Sequence, residues 1–201
     1  MVTIFHATNA TAINHMRGLM RAFVAWHREH HHEDRALIER YFEPQKFEQE
    51  LDGLPGPYVL RHRWSPAMRA QAEAEGQYCL RDVPPAAATS GLLIAYHGGQ
   101  PAGCVALRDL GGSGAEGGTC EMKRMFVPVT FRGMGVGKAL ARRAIAEATQ
   151  AGYARMRLDT SRRQAEAIRL YEKTGFTRIP PYGDVTEDLK SWLIFFERKL
   201  G

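Results

Sequence analysis

Apolar positions along the first sixty residues fall at helical intervals. Ile13, Met16, Met20, Phe23 and Val24, continued by His27, form a one-sided stripe, which predicts a first helix with Thr8 or Asn9 as its cap. A second short helix over 34–42 would bury Leu37, Ile38, Tyr41 and Phe42 and stop before Pro44. Phe47, Leu51 and Leu54 mark a third piece, closed by the turn Leu54-Pro55-Gly56-Pro57. Between 61 and 90 the pattern loses its period. Residues 66–76 are rich in Ala, Arg and Glu, and Pro84-Pro85-Ala86-Ala87-Ala88 reads as a linker, so this stretch is taken as an insertion or flap.

From residue 91 the pattern is regular. Strands are expected over 92–96 and 102–107, joined by the hairpin turn His97-Gly98-Gly99-Gln100. A flexible loop spans 111–118, and a long strand follows over 119–127. A helix over 137–151 stops at Gly152. A strand over 154–159, a helix over 164–173 ended by Gly175, and strands over 176–179 and 192–198 complete the chain. Antiparallel strands leading into strand–loop–helix–strand predict an α/β or α+β class with a mixed sheet. The expected organisation is a single domain over 1–201, with N-terminal helices over 1–60, the flap over 61–90 and a core over 91–201.

Composition narrows the class. The 201 residues are 44% hydrophobic and 24% charged, ordinary for a globular chain. No apolar run reaches the ~18–20 residues that span a bilayer, and residues 1–14 lack the pattern of a secretory signal. Cys79, Cys104 and Cys120 are odd in number and in no metal-binding or disulfide spacing. A cytoplasmic location, with no membrane partner, is the expectation. The formal charge is +5, but the basic residues are scattered among 22 acidic ones. Their local concentration at Arg132, Lys138, Arg142 and Arg143 suits a small polyanion better than a nucleic acid.

That concentration flanks the segment from Val127 to Lys138, which joins a strand to a helix. Glycines let a backbone turn tightly against a ligand, and the free amides of a helix N-terminus point at an anion. As a Walker A loop it fails, because Arg132 stands at the first glycine position and Ala139 at the hydroxyl position. As a dinucleotide fingerprint it is imperfect: after Gly133-x-Gly135, Lys138 stands where the third glycine belongs. Asp159 at the end of the next strand does imitate a ribose-binding acid. A nucleotide-dependent oxidoreductase therefore stays open.

A third pattern, Arg/Gln-x-x-Gly-x-Gly/Ala, is met in full by Arg132-Gly133-Met134-Gly135-Val136-Gly137. With the preceding strand over 121–127 and Leu170-Tyr171-Glu172-Lys173-Thr174-Gly175-Phe176 after it, the chain resembles the GNAT superfamily of acyl-CoA-dependent N-acyltransferases over roughly 91–200. The resemblance implies a mostly antiparallel sheet flanked by helices and splayed at the cofactor strand. It implies acetyl-CoA as acyl donor, no metal, a small-molecule or peptide amine as acceptor, and a monomer or homodimer. It assigns cofactor binding to Met125, Phe126 and Val127 through their main chains, and to Arg132, Gly133, Met134, Gly135, Val136, Gly137 and Lys138. It also assigns Tyr171, as a thiol contact, and Gln164, which stands where relatives often carry asparagine, to the cofactor; Pro128 follows Val127 one residue earlier than is common.

Amine acetylation needs a neutral amine, and an alkylammonium has a pKa near ~10.4, so a base must take its proton. Glu121 occupies the position at which some members place that base; it is equally a partner for Lys123 or Arg124. Strand alternation would put Glu121, Lys123, Met125 and Val127 on one face, opposite Met122, Arg124 and Phe126. Tyr171 is the candidate acid for the departing thiolate, and alone it would read as a core aromatic beside Ile168 and Leu170. His27, His30, His31 and His32 form a patch that reads as a solvated helix end, a metal site or a substrate contact. Cys120 reads as a strand core residue rather than an acyl carrier. Arg155, Arg157, Arg162 and Arg163 read as surface, or as contacts for the nucleotide end of coenzyme A. A non-catalytic acyl-CoA-binding or regulatory module is the remaining alternative.

Overall fold

The computed structural model describes residues 1–61, 88–112 and 118–200. The expected flap thus lies outside the described residues except at its ends. There β2 (Val59–Arg61) pairs antiparallel with β3 (Ala88–Ser90) as a two-stranded sheet. Residues 113–117 of the expected loop also lie outside them; Gly118 belongs to the strand that follows.

The N-terminal stripe forms a helix, α1 (Ala10–His30). Of the two expected caps Asn9 is the one used: its side chain accepts the Ala12 N–H at 2.8 Å. Met16, Met20, Val24 and His27 line its buried face. Helices α2 (Arg35–Phe42) and α3 (Pro44–Asp52) follow as anticipated, the second opened by Pro44 at a first-turn position where its missing N–H costs nothing. Besides β2 and β3, two further described elements escaped the periodicity. Strand β1 (Val2–His6), at five residues, is too short to register, and it pairs antiparallel with β4 (Leu92–His97). The expected last strand begins one residue later, as β9 (Leu193–Lys199), because Trp192 ends a short helix, α6 (Glu187–Trp192).

The main sheet has seven strands in the order β1-β4-β5-β6-β7-β9-β8. It runs through β5 (Gln100–Asp109), β6 (Gly118–Phe126), β7 (Tyr153–Ser161) and β8 (Thr177–Ile179). Among the described strands only β6 and β7 pair in parallel; the other neighbours are antiparallel. Helices α4 (Val136–Gln150) and α5 (Ala165–Lys173) cover one face, where Leu140, Ala144 and Ala148 pack on Leu93, Val105 and Met156. The opposite face carries α1–α3 and α6, whose apolar residues pack on Leu92, Ile94, Cys104 and Phe126.

Two irregularities in β6 position everything that follows. Its pairing with β7 runs from Gly118↔Tyr153 to Glu121↔Arg157 and stops there, so the two strands part beyond Glu121. On the β5 side the register shifts between Cys104↔Phe126 and Ala106↔Lys123, a bulge at which Arg124 takes φ 55. The extra residue corrects the expected alternation. Lys123 and Arg124 both face α2 and α3: Lys123 lies 5.2 Å from the Tyr41 ring centre, and the Arg124 guanidinium lies 5.1 Å from that of Phe42. Met125 and Val127 are carried to the α4 face, away from Glu121.

Candidate active site

The parting of β6 from β7 leaves a wedge with a cavity on either side. The first, of about 660 Å³, lies along the glycine loop and the first turn of α4. Gly133 and Gly135 adopt φ +77 and +80, values that a side chain would strain. A Cβ added at either would meet nothing within 4 Å, so backbone conformation, not crowding, selects these glycines. The earliest main-chain bond into α4 is Ala139 N–H to Gly135 O, at 3.0 Å. The amides of Val136, Gly137 and Lys138 precede it and have no partner within the helix. Arg132 lies over the Trp26 ring at 4.5 Å, its Nε donating to Val127 O at 3.2 Å.

This cavity brings together Met125, Phe126, Val127, Arg132, Gly133, Gly135, Val136, Gly137, Lys138, Gln164 and Tyr171. Met134 is not among its lining residues; its side chain is exposed to solvent. Tyr171 is buried at the inner end, donating to Met125 Sδ at 3.8 Å. Burial, with minor help from Asp159 and Tyr41, raises its phenol well above the ordinary value. Gln164 accepts from the Thr160 hydroxyl and lies 3.0 Å from His27 Nε2. His27 is 2% exposed, and burial lowers its pKa to about 4, with His31 adding to the effect. The histidine patch therefore divides: His27 is a neutral interior ring, while His30 and His31 line the cavity. Among the described residues no three His, Cys, Asp or Glu side chains come together as a metal site.

The second cavity, of about 560 Å³, lies across the sheet against α2, α6 and the 182–185 loop. Glu121 is here, 2% exposed. Arg108 Nε donates to its Oε2 at 2.5 Å and the Tyr182 hydroxyl to its Oε1 at 2.9 Å, with Lys123 Nζ 3.7 Å away. Its basic partners are thus Arg108 and Lys123; the expected Arg124 instead pairs with Glu50 at 2.6 Å. Asp159 accepts from Lys123 at 2.9 Å and from Tyr41 at 2.5 Å. Burial acts to raise its pKa, but Lys123 and Tyr41 outweigh burial and hold the carboxyl below its ordinary value. The Lys123 ammonium gains likewise: burial opposes its charge, and Asp159 more than restores it.

Asp159 does not border the glycine loop, so it cannot serve as the ribose-binding acid of a dinucleotide site there. A chamber of about 40 Å³ lies between the two cavities. It shares Met125, Gln164 and Tyr171 with the first and Tyr41, Lys123 and Asp159 with the second. The bond from the Tyr182 hydroxyl to Glu121, the place of Tyr41 in the site and the pairing of Lys123 with Asp159 have no counterpart in the sequence reading. Sequence offers no spacing that links residues 41, 123, 159 and 182.

Known proteins resemble this chain in sequence and in fold. Residues 57–176 match the acetyltransferase (GNAT) family model. The chain is 39% identical to the IAA acetyltransferase of Azospirillum brasilense over 108 residues, 54% of this chain and 67% of that protein. It is 38% identical to the N-acetylaspartate synthetase of Danio rerio over 93 residues, 46% of this chain and 32% of that protein. The aligned stretches span from 29% to 67% of the curated relatives' own lengths. Among solved structures, an acetyltransferase of the GNAT family from Staphylococcus aureus Mu50 superposes with a TM-score of 0.60 over 100% of both chains at 14% identity. The PaiA N-acetyltransferase of Thermoplasma acidophilum, in complex with coenzyme A, gives 0.59 over 99% of both at 14%. At such identities the superpositions speak for the fold.

Proposed function

The chain belongs to the acetyltransferase (GNAT) family, and from that premise we propose that it moves an acetyl group from acetyl-CoA directly to a primary amine. The observation that carries this reading is the chamber at the wedge, where Tyr171 and Met125 face Lys123 and Asp159. One cavity opens onto it from an anion-binding helix terminus and the other from the opposite face.

The residues suit the donor. At the outer end of the first cavity Arg132, Lys138 and the first-turn amides of α4 offer a pyrophosphate both charge and N–H donors. At the inner end Met125, Val127 and Leu170 are apolar, as a pantetheine arm requires. Bound there, acetyl-CoA supplies a thioester, an activated acyl group with a thiolate as leaving group. Beyond Glu121 the edge of β6 that faces β7 has no ladder partner, so the main chain of Met125, Phe126 and Val127 is available to hold the arm and polarise the carbonyl. Tyr171 keeps its proton until the thiolate departs, then donates it. The amine's proton leaves toward Glu121. Because both carboxylate oxygens are engaged, we route it through the Tyr182 hydroxyl, which accepts the proton and passes its own to Glu121.

Thiol release from acetyl-CoA across a panel of polyamines, amino acids, aminoglycosides and peptide N-termini tests the reading. Release with at least one amine supports it. Acetyl-CoA raising the melting temperature with no release would favour a binding module, and stabilisation by NADH in its place would reinstate the oxidoreductase.

A further inference from the structure

We propose that the acceptor is an amine that also carries a carboxylate, held in the second cavity by Arg108 and Arg157. The inference rests on the acetyltransferase reading and names the substrate class of the same site.

Arg108 on β5 and Arg157 on β7 are the cross-strand partners of Glu121 on either side. Two strand spacings of ~4.8 Å put their Cα atoms roughly 10 Å apart. Each guanidinium is anchored through Nε alone, Arg108 on Glu121 at 2.5 Å and Arg157 on Glu197 at 2.8 Å. Arg157 also lies over the Tyr182 ring at 5.2 Å. Among the described residues the terminal amino groups of both have no hydrogen-bond partner. Two orientationally fixed forks therefore border the cavity with donors to spare, the arrangement that suits a planar carboxylate.

Three of the four acidic side chains that line the cavity are already claimed. Glu121 is held by Arg108, Tyr182 and Lys123, Asp159 by Tyr41 and Lys123, and Glu43 by Lys46 at 2.6 Å. Asp184 is exposed at the mouth. Such a cavity offers unclaimed donors to an anion and little to the second ammonium of a polyamine. Leu189 and Leu193 supply an apolar wall for the carbon skeleton between amine and acid.

The test compares matched pairs by thiol release: α-amino acids, ω-amino acids and dipeptides, each against the same amine with its carboxylate removed or amidated. We expect kcat/KM at least ~10-fold higher for the acid member, carried by KM, as for a charge-assisted hydrogen bond worth about 1.4 kcal/mol or more. Arg157→Gln removes that preference by raising KM for the acid member, and Arg157→Lys, which keeps the charge without the fork, recovers part of it. Equal use of both members, or a preference that survives in both Arg108→Gln and Arg157→Gln, overturns the inference while leaving the acetyltransferase reading intact. Absence of transfer to any amine, with acetyl-CoA still bound, sinks both.

Discussion

A phenol that protonates a leaving group at neutral pH must hold its proton until the bond breaks. Burial holds Tyr171 in that state. Tyr171→Phe should therefore lower kcat by roughly 10²–10⁴, the range of general acid catalysis, with KM for acetyl-CoA changed little; steady-state kinetics on a protein of unchanged melting temperature measure it. His27 gives a pH prediction of the opposite character. Its pKa in the fold is about 4, against about 6.5 in an unfolded chain. Between these values the unfolded chain binds a proton that the folded one refuses, so stability is complete above pH 6.5 and falls as pH drops toward 4, by about 3 kcal/mol. Urea midpoints should show a shallower acid loss in His27→Gln, which keeps a partner for Gln164 without titrating. Tyr171 was legible because it sits inside Leu-Tyr-x-x-x-Gly-Phe. His27 was not, because its neutrality depends on Phe23, Phe42 and Trp192 around the ring, and only its neighbour on α1 is near it in sequence.

Among the elements, helices with a clear apolar stripe and the glycine loop could be read from pattern alone. Strand β6 is legible in the sequence, but simple alternation misplaces its residues beyond Lys123. Alternation assumes an unbroken ladder, and nothing in Met122-Lys123-Arg124-Met125 announces a bulge. Arg124 tolerates its left-handed backbone because its guanidinium is fixed from α3: Glu50 accepts at 2.9 and 2.6 Å, and Tyr58 braces the same carboxylate at 2.6 Å. Glu50→Ala leaves that guanidinium, only 9% exposed, without its counter-charge. Loss of one partner of a buried pair costs about 3–5 kcal/mol. Denaturant unfolding should show a loss of that size, and because the bulge sets where Met125 and Val127 point, acetyl-CoA affinity should fall with it.

At the scale of the whole molecule the two cavities lie on opposite sides of one sheet and share only the chamber. Lys138→Ala acts on the polyanion end of the first and Arg157→Gln on the far wall of the second. Their effects on kcat/KM should add within about 0.5 kcal/mol, as for sites without shared partners; a double-mutant cycle with a coupling well above that would mean the cavities communicate. This two-sided design was the least legible feature in the sequence, since the second cavity draws on α2, β5, β6, β7, β9 and the 182–185 loop, and no motif spans them.

The parting of β6 from β7 also bears on how the protein breathes. Among the described residues no backbone ladder past Glu121 joins the β1-β4-β5-β6 half of the sheet to the β7-β9-β8 half, and Lys123 and Tyr41 clasp Asp159 there. Amide hydrogen exchange should report a seam along this line. Protons at the 118–121 end of β6 should persist, those near 125 should exchange sooner, and a Lys123→Met protein should lose the difference by opening as two units at a lower free energy than global unfolding.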